Sequence, residues 1–209
     1  MVFISGGGSY RQSELLDERF FSNCHRILYI PVGLKRNFSG YEGCWEWFCT
    51  VCAYHHFEIN NIDMCISLHE SPDLNNYDGI YIGGASNLLY LHSLLNVSGF
   101  GERIVAFNKR GGKVYGGSAG GELLGKSLPL YRETGLSLLP FSIYSHYTGN
   151  KEVINLHFEK DSCPLIILKE DSGMVFEKNI ITAVGYSDVE LYMSTFNIVS
   201  LHNKCTFVL

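Results

Sequence analysis

One stretch constrains the chain more than any other: Lys113-Val114-Tyr115-Gly116-Gly117-Ser118-Ala119-Gly120-Gly121-Glu122-Leu123-Leu124. An apolar strand signal runs directly into a helical pattern, and the junction is made almost wholly of residues without bulk. A chain can pass from strand to helix in so few residues only through a sharp, sterically tight turn. That turn belongs to folds in which strands are followed at once by helices. The rest of the first two thirds has the same texture. Val2–Ser5, Arg26–Val32, Ile59–Ile66 and Gly79–Ile82 read as short apolar strands, and Arg11–Ser22, Tyr41–His56, Asn87–Leu95 and Gly101–Lys109 read as amphipathic helices. Such alternation predicts an α/β fold with a mostly parallel sheet covered by helices on both faces, a three-layer arrangement.

Beyond about residue 137 the pattern changes. Ile143–Ser145, Leu165–Leu168, Met174–Glu177, Ile180–Val184, Val189–Met193 and Phe196–Leu201 are strand candidates with hardly a helix between them. They are expected to extend the sheet and to add antiparallel hairpins at its edge. Lys151–Lys160 reads equally as a short helix or a loop. At 209 residues a single domain spanning 1–209 is expected. With 46% hydrophobic and 18% charged residues the chain has the material for a large core.

The balance of 16 basic against 21 acidic residues leaves no surplus to neutralise phosphates, so nucleic acid is not an expected partner. The start, Met1-Val2-Phe3-Ile4-Ser5-Gly6, has no charged leader and only a short apolar run, and no later run reaches 18 apolar residues. Neither a signal peptide nor a membrane span is therefore expected. The 7 cysteines are an odd count, which suits reduced thiols and a cytoplasmic location. The sequons at Asn37 and Asn96 are then chance matches.

Gly116-Gly117-Ser118-Ala119-Gly120 contains G-x-S-x-G with a strand before it and a helix after it, the context a nucleophile elbow requires. A serine there points Oγ beyond the sheet, and the Ala119 amide at the helix start favours a developing oxyanion. The bland alternative is a glycine-rich turn that lets helix and strand pack closely. Among 8 histidines, His146 follows a strand candidate and is preferred as base, with His157 as its competitor. His55, His56 and His92 lie in helices and read as surface or packing residues. For the orienting acid, Glu122 lies in the elbow helix and Glu133 in a polar loop. Glu170 and Asp171 follow a strongly apolar strand, where ligand-facing groups of an open sheet gather, or they simply form a hairpin turn.

Three stretches together resemble the family of dipeptidase E (aspartyl dipeptidase) and cyanophycinase, serine peptidases on a class I glutamine amidotransferase-like, flavodoxin-like fold. They are Tyr115–Gly120 with its Ser-Ala-Gly core, Leu138–Ile143 followed by His146-Tyr147, and Ile167–Asp171. The resemblance implies a Ser118–His146–Glu170 triad and an acyl-enzyme, without metal or organic cofactor. A fourth stretch, Gly79–Asn87, resembles the family's oxyanion loop. It implies Gly84 as the second oxyanion donor beside Ala119, with Gly83 and Asn87 near the substrate. This loop reads Gly-Gly-Ala-Ser-Asn where the family has a Gly-Gly-Gly-Asn type. The family's post-histidine arginines have no counterpart in Gly149–Asn155, where Lys151 offers only a point charge. Strict aspartyl specificity does not carry over, and Arg132 has no place assigned to it.

The implied function is hydrolysis of small peptides by a monomer or homodimer. The alternatives are a catalytically silent binding or sensor domain on the same fold, or a general serine esterase. Cys44, Cys49, Cys52, His55 and His56 have a spacing compatible with metal. The accompanying Trp45, Trp47, Phe48 and Tyr54 favour a packed helix with buried thiols instead. Gly6-Gly7-Gly8 lacks the Lys-Ser/Thr of a P-loop and reads as a turn bordering the active site.

Overall fold

A computed structural model describes residues 1–34, 40–70 and 72–209. The sequon at Asn37 lies outside the described residues. Five strands run parallel: β1 (Val2–Ser5), β2 (Ile27–Ile30), β3 (Ile62–Met64), β4 (Gly79–Ile82) and β5 (Lys113–Gly117). Three antiparallel strands, β8 (Ser172–Glu177), β9 (Ile180–Gly185) and β12 (Thr206–Val208), continue the sheet in the order β12-β9-β8-β1-β5-β4-β2-β3.

Period-two alternation decides what each face carries. Ile4, Leu28, Ile30, Ile80, Ile82 and Val114 point to one side. There α3 (Leu88–Val97), α4 (Phe100–Lys109) and α5 (Ala119–Leu124) bury Leu91, Leu95, Ile104, Leu123 and Leu124 against them. Phe3, Tyr115, Tyr81 and Tyr29 point to the other side, and they are register partners across four neighbouring strands. They form one aromatic row. Phe20 of α1 (Glu14–Phe21) packs edge-on against Phe3, Tyr81 and Tyr115, and Phe48 of α2 (Glu42–Tyr54) stacks on Tyr29 at 4.1 Å. Cys44 and Cys52 of α2 are buried in this layer, and burial pushes the Cys52 thiol far up. The expected three layers are therefore present.

The C-terminal third departs from a simple set of edge hairpins. β6 (Ser142–Tyr144), β7 (Leu165–Ile167), β10 (Val189–Tyr192) and β11 (Ile198–Leu201) form a separate sheet in the order β11-β10-β7-β6. The reason lies in the ambiguous stretch after residue 150. It is a helix, α6 (Glu152–Lys160), and a helical crossover lets β6 and β7 pair in parallel, which a tight turn cannot do. Among the described residues no helix is long and apolar enough to cross a membrane.

The elbow helix sits close against the sheet because Gly120 has no side chain. A Cβ there would lie 2.6 Å from both the Ile82 and Gly83 carbonyl oxygens, which are backbone atoms. Removing a helical glycine ordinarily gains up to about 1 kcal/mol, whereas overpacking costs about 1–3 kcal/mol. The clash should win. Gly120→Ala is expected to lower the urea midpoint of unfolding without changing the slope, and an unchanged or higher midpoint would contradict this packing.

Candidate active site

Three parallel strands, β1, β5 and β4, end side by side, and each is followed by small residues. Ser118 leaves β5 with φ 53° and ψ −125°, a strained backbone for a residue with a side chain. Its amide donates to the Ser5 carbonyl (3.1 Å), and its own carbonyl accepts from Gly121 (2.8 Å) and Glu122 (3.0 Å). With both backbone groups held, Oγ is left to project beyond the sheet. The helix begins at Ala119, so the Ala119 amide belongs to a first turn that has no preceding carbonyl to bond.

The second sheet supplies the partners. His146 follows β6 and Glu170 follows β7, the two parallel strands of that sheet. His146 Nε2 lies 2.8 Å from Ser118 Oγ, and His146 Nδ1 lies 3.1 Å from Glu170 Oε1. His146 also has positive φ (51°). Its side chain and that of Glu170 are about half exposed (44% and 54%), so the ion pair is screened and serves to orient the ring more than to stabilise the fold.

The Gly6–Gly8 turn stitches these pieces together. The His146 amide donates to the Gly6 carbonyl (3.1 Å), Gly8 donates to the Glu170 carbonyl (3.1 Å), and Gly6 donates to that of Ser172 (2.9 Å). Gly7, at φ 101°, is indispensable. A Cβ on it would fall 2.5 Å from His146 Nε2 and 2.8 Å from Ser118 Cβ, directly on the hydroxyl–imidazole contact. The Gly84 backbone approaches from β4; a Cβ there would be 3.8 Å from Ser118 Oγ. A cavity of about 320 Å³ opens beside the serine, lined by Gly7, Gly83, Gly84, Ser118 and His146 and walled by Tyr29, Tyr81 and Trp47.

Ser118, His146, Glu170, Gly84, Gly83 and Ala119 thus meet in one place. Asn87 and Lys151 do not line the cavity. Asn87 caps α3, its side chain accepting from the Tyr90 amide (3.0 Å), and Lys151 is the exposed residue preceding α6. Arg132 borders a different cavity. His157 is buried with Nε2 2.9 Å from the Cys163 carbonyl, and His55 stacks on Phe21. Asp171 offers its carbonyl to Tyr186, while the carboxyl that reaches the imidazole is that of Glu170.

Two acids have roles that spacing alone did not reveal. Glu122, one turn into α5, accepts from the Ser145 amide (3.0 Å) and the Ser145 hydroxyl (2.5 Å). It ties the elbow helix to the residue before His146. Burial pushes its carboxyl upward, opposed by these two hydrogen bonds. Asp17 of α1 lies under the aromatic row and is only 1% exposed. Burial raises it to about 7, although the Ser13 hydroxyl (2.6 Å from Oδ2) and the nearby Tyr115 hydroxyl favour its ionised form.

No family model matches the chain, and no curated protein matches it. Solved structures do. One is a crystal structure of a protein from Listeria monocytogenes EGD-e provisionally named peptidase E. It is 15% identical, with a TM-score of 0.68, over 89% of this chain and 98% of that one. The fold is the peptidase E fold. At that identity the likeness speaks for the architecture alone, the mostly parallel, helix-flanked sheet described above.

Both acids give measurable outcomes. Because Asp17 titrates near 7 when folded and near 3.8 when unfolded, the native state holds more protons across that window. Its contribution therefore erodes stability as pH rises from about 4 to about 7, with the full penalty above. Asp17→Asn is expected to raise Tm by several degrees at pH 8 and by much less at pH 4.5 in calorimetry; an equal shift at both would refute the titration. Glu122→Ala should strand the Ser145 amide and cost about 1–3 kcal/mol of stability in urea unfolding, most of it restored in Glu122→Gln.

Proposed function

We propose that this chain is a serine exopeptidase of the dipeptidase E type, hydrolysing small peptides through Ser118, His146 and Glu170. The observation that carries the reading is the continuous contact from Ser118 Oγ to His146 Nε2 (2.8 Å) and from Nδ1 to Glu170 Oε1 (3.1 Å). Nδ1–H donates to the glutamate, which selects the tautomer whose Nε2 accepts the serine proton. Oγ then attacks the scissile carbonyl. The amides of Gly84 and Ala119 receive the oxyanion, each worth about 3 kcal/mol in a water-poor site. His146 returns the proton to the leaving amine, then activates the water that hydrolyses the acyl-enzyme. No step calls for a cofactor.

Two features favour a short substrate. The cavity, at about 320 Å³, is at the small end for ligand sites and suits one side chain with a short backbone. The serine elbow also has glycine on three sides (Gly7, Gly84 and Gly117), so a peptide backbone can approach it closely.

A fluorophosphonate probe should label the protein at Ser118, and Ser118→Ala should abolish both labelling and turnover of a dipeptide library. The loss in kcat is expected to be on the order of a thousandfold or more. A serine that does not react, or peptide turnover that survives the substitution, would overturn the reading. Hydrolysis of simple esters with no peptide cleaved would overturn the peptide substrate.

A further inference from the structure

The backbone at the base is strained. His146 lies at φ 51°, a left-handed conformation that a side chain disfavours and that persists only where the surroundings over-determine it. Three consecutive amides are held there, each by a different part of the fold. Ser145 donates to Glu122 Oε1 (3.0 Å), His146 to the Gly6 carbonyl (3.1 Å) and Tyr147 to the Leu168 carbonyl (3.0 Å). The last two acceptors belong to the backbone. The first is a side chain.

Topology explains why a side chain is needed. The Ser142 amide donates to the Pro164 carbonyl (2.9 Å) and the Tyr144 carbonyl accepts from Leu168 (2.9 Å), so both residues turn their backbone groups toward β7. Successive residues of an extended chain turn these groups to opposite sides. Ser145 therefore directs its amide away from β7. β6 ends the order β11-β10-β7-β6, so no strand of that sheet lies on that side. The neighbour is α5, whose Glu122 meets the amide with Oε1. The same oxygen accepts from the Ser145 hydroxyl (2.5 Å), which fixes Ser145 at two points.

Glu122 also reaches the other half of the site. Its own amide donates to the Ser118 carbonyl (3.0 Å), in the first turn of α5 directly behind the serine. One residue thus holds the nucleophile's peptide through its backbone and the segment carrying the base through its side chain. Without that side-chain oxygen the Ser145 amide loses its acceptor. The strained residue beside it can then relax toward extended backbone, and the ring moves away from Ser118.

We propose that Glu122 is a positioning residue for the base: its side-chain oxygen holds Ser145 so that His146 keeps the left-handed turn that brings Nε2 to Ser118 Oγ. The effect on rate rests on the peptidase reading, whereas the placement of the ring does not. The requirement is for an oxygen acceptor rather than for a charge, because both Ser145 groups are donors to it.

The test pairs kinetics with a measurement on the ring that needs no turnover. Glu122→Ala is expected to lower kcat on a cleaved dipeptide by about tenfold to a hundredfold with KM little changed, the pattern of a misplaced catalytic group. Glu122→Gln keeps an oxygen in the same place and should recover most of the loss. Glu122→Met has similar reach without an oxygen acceptor. It should behave as the alanine variant and serves if that variant does not fold. NMR of the histidine ring nitrogens at about pH 8.5, where an ordinary imidazole is neutral, should find the His146 proton on Nδ1 in the unsubstituted and glutamine proteins. The alanine and methionine variants should lose that single tautomer, with His146→Gln assigning the signals. Full kcat in folded alanine or methionine variants, a glutamine variant as impaired as they are, or an unchanged tautomer in both overturns the inference. A lower Tm without a lower kcat would leave Glu122 a stabilising contact only and would sink it equally. If the unsubstituted protein neither cleaves peptides nor reacts with a fluorophosphonate, the hydrolase reading falls and the tautomer comparison alone decides this one.

Discussion

The Gly6–Gly8 turn carries the rest of the site. Three backbone hydrogen bonds run from it to His146, Glu170 and Ser172, so one short loop after β1 fixes the spacing between the two sheets at the point where they meet. Its central residue must be glycine for two separate reasons. The backbone is at φ 101°, and the space a Cβ would need is already filled by the imidazole and the serine. Without that close approach, the hydroxyl and the ring that comes from another sheet could not stand 2.8 Å apart.

The two sheets divide the labour. The large sheet holds Ser118 and the glycine amides on strands buried on both faces, where little can move. The small sheet delivers His146 and Glu170 just beyond the ends of two parallel strands, β6 and β7, and the pairing, carried on by the Leu168 amide to the Tyr144 carbonyl and the Tyr147 amide to the Leu168 carbonyl, brings them side by side. Glu122 joins the two by bracing the peptide before His146 from the elbow helix. The half-exposed His146–Glu170 pair gains little stability from its charge. Its geometry is held by backbone hydrogen bonds and packing, which salt does not screen.

Beneath the site, the aromatic row trades stability for polarity. Tyr29, Tyr81 and Tyr115 could have been phenylalanine, as Phe3 is in the same register. Their hydroxyls, with Asp17, place polar groups in a dry layer, and burial raises the aspartate to about 7. Burying polar groups is costly, and such groups concentrate where a site needs them.

Much was legible in the chain itself. Alternating apolar runs and amphipathic segments announced the parallel sheet, because strand burial and helix amphipathicity are written at different periods. The small residues around Ser118 announced the elbow, since nothing bulky fits such a turn. The tyrosine row was also present as I-L-Y-I, G-I-Y-I and K-V-Y-G, a repeated position in three strands that only a knowledge of register makes meaningful. The separate second sheet was not legible. Whether β6 and β7 pair with each other or with the main sheet depends on where a weakly patterned crossover helix packs. Nor were the exclusion of Asn87 and Lys151 from the cavity, the brace from Glu122 or the depth of Asp17. Local sequence specifies which backbone shapes a segment can take. Which side chains from distant segments share a hydrogen bond is decided by packing, because that depends on distances set by every layer at once.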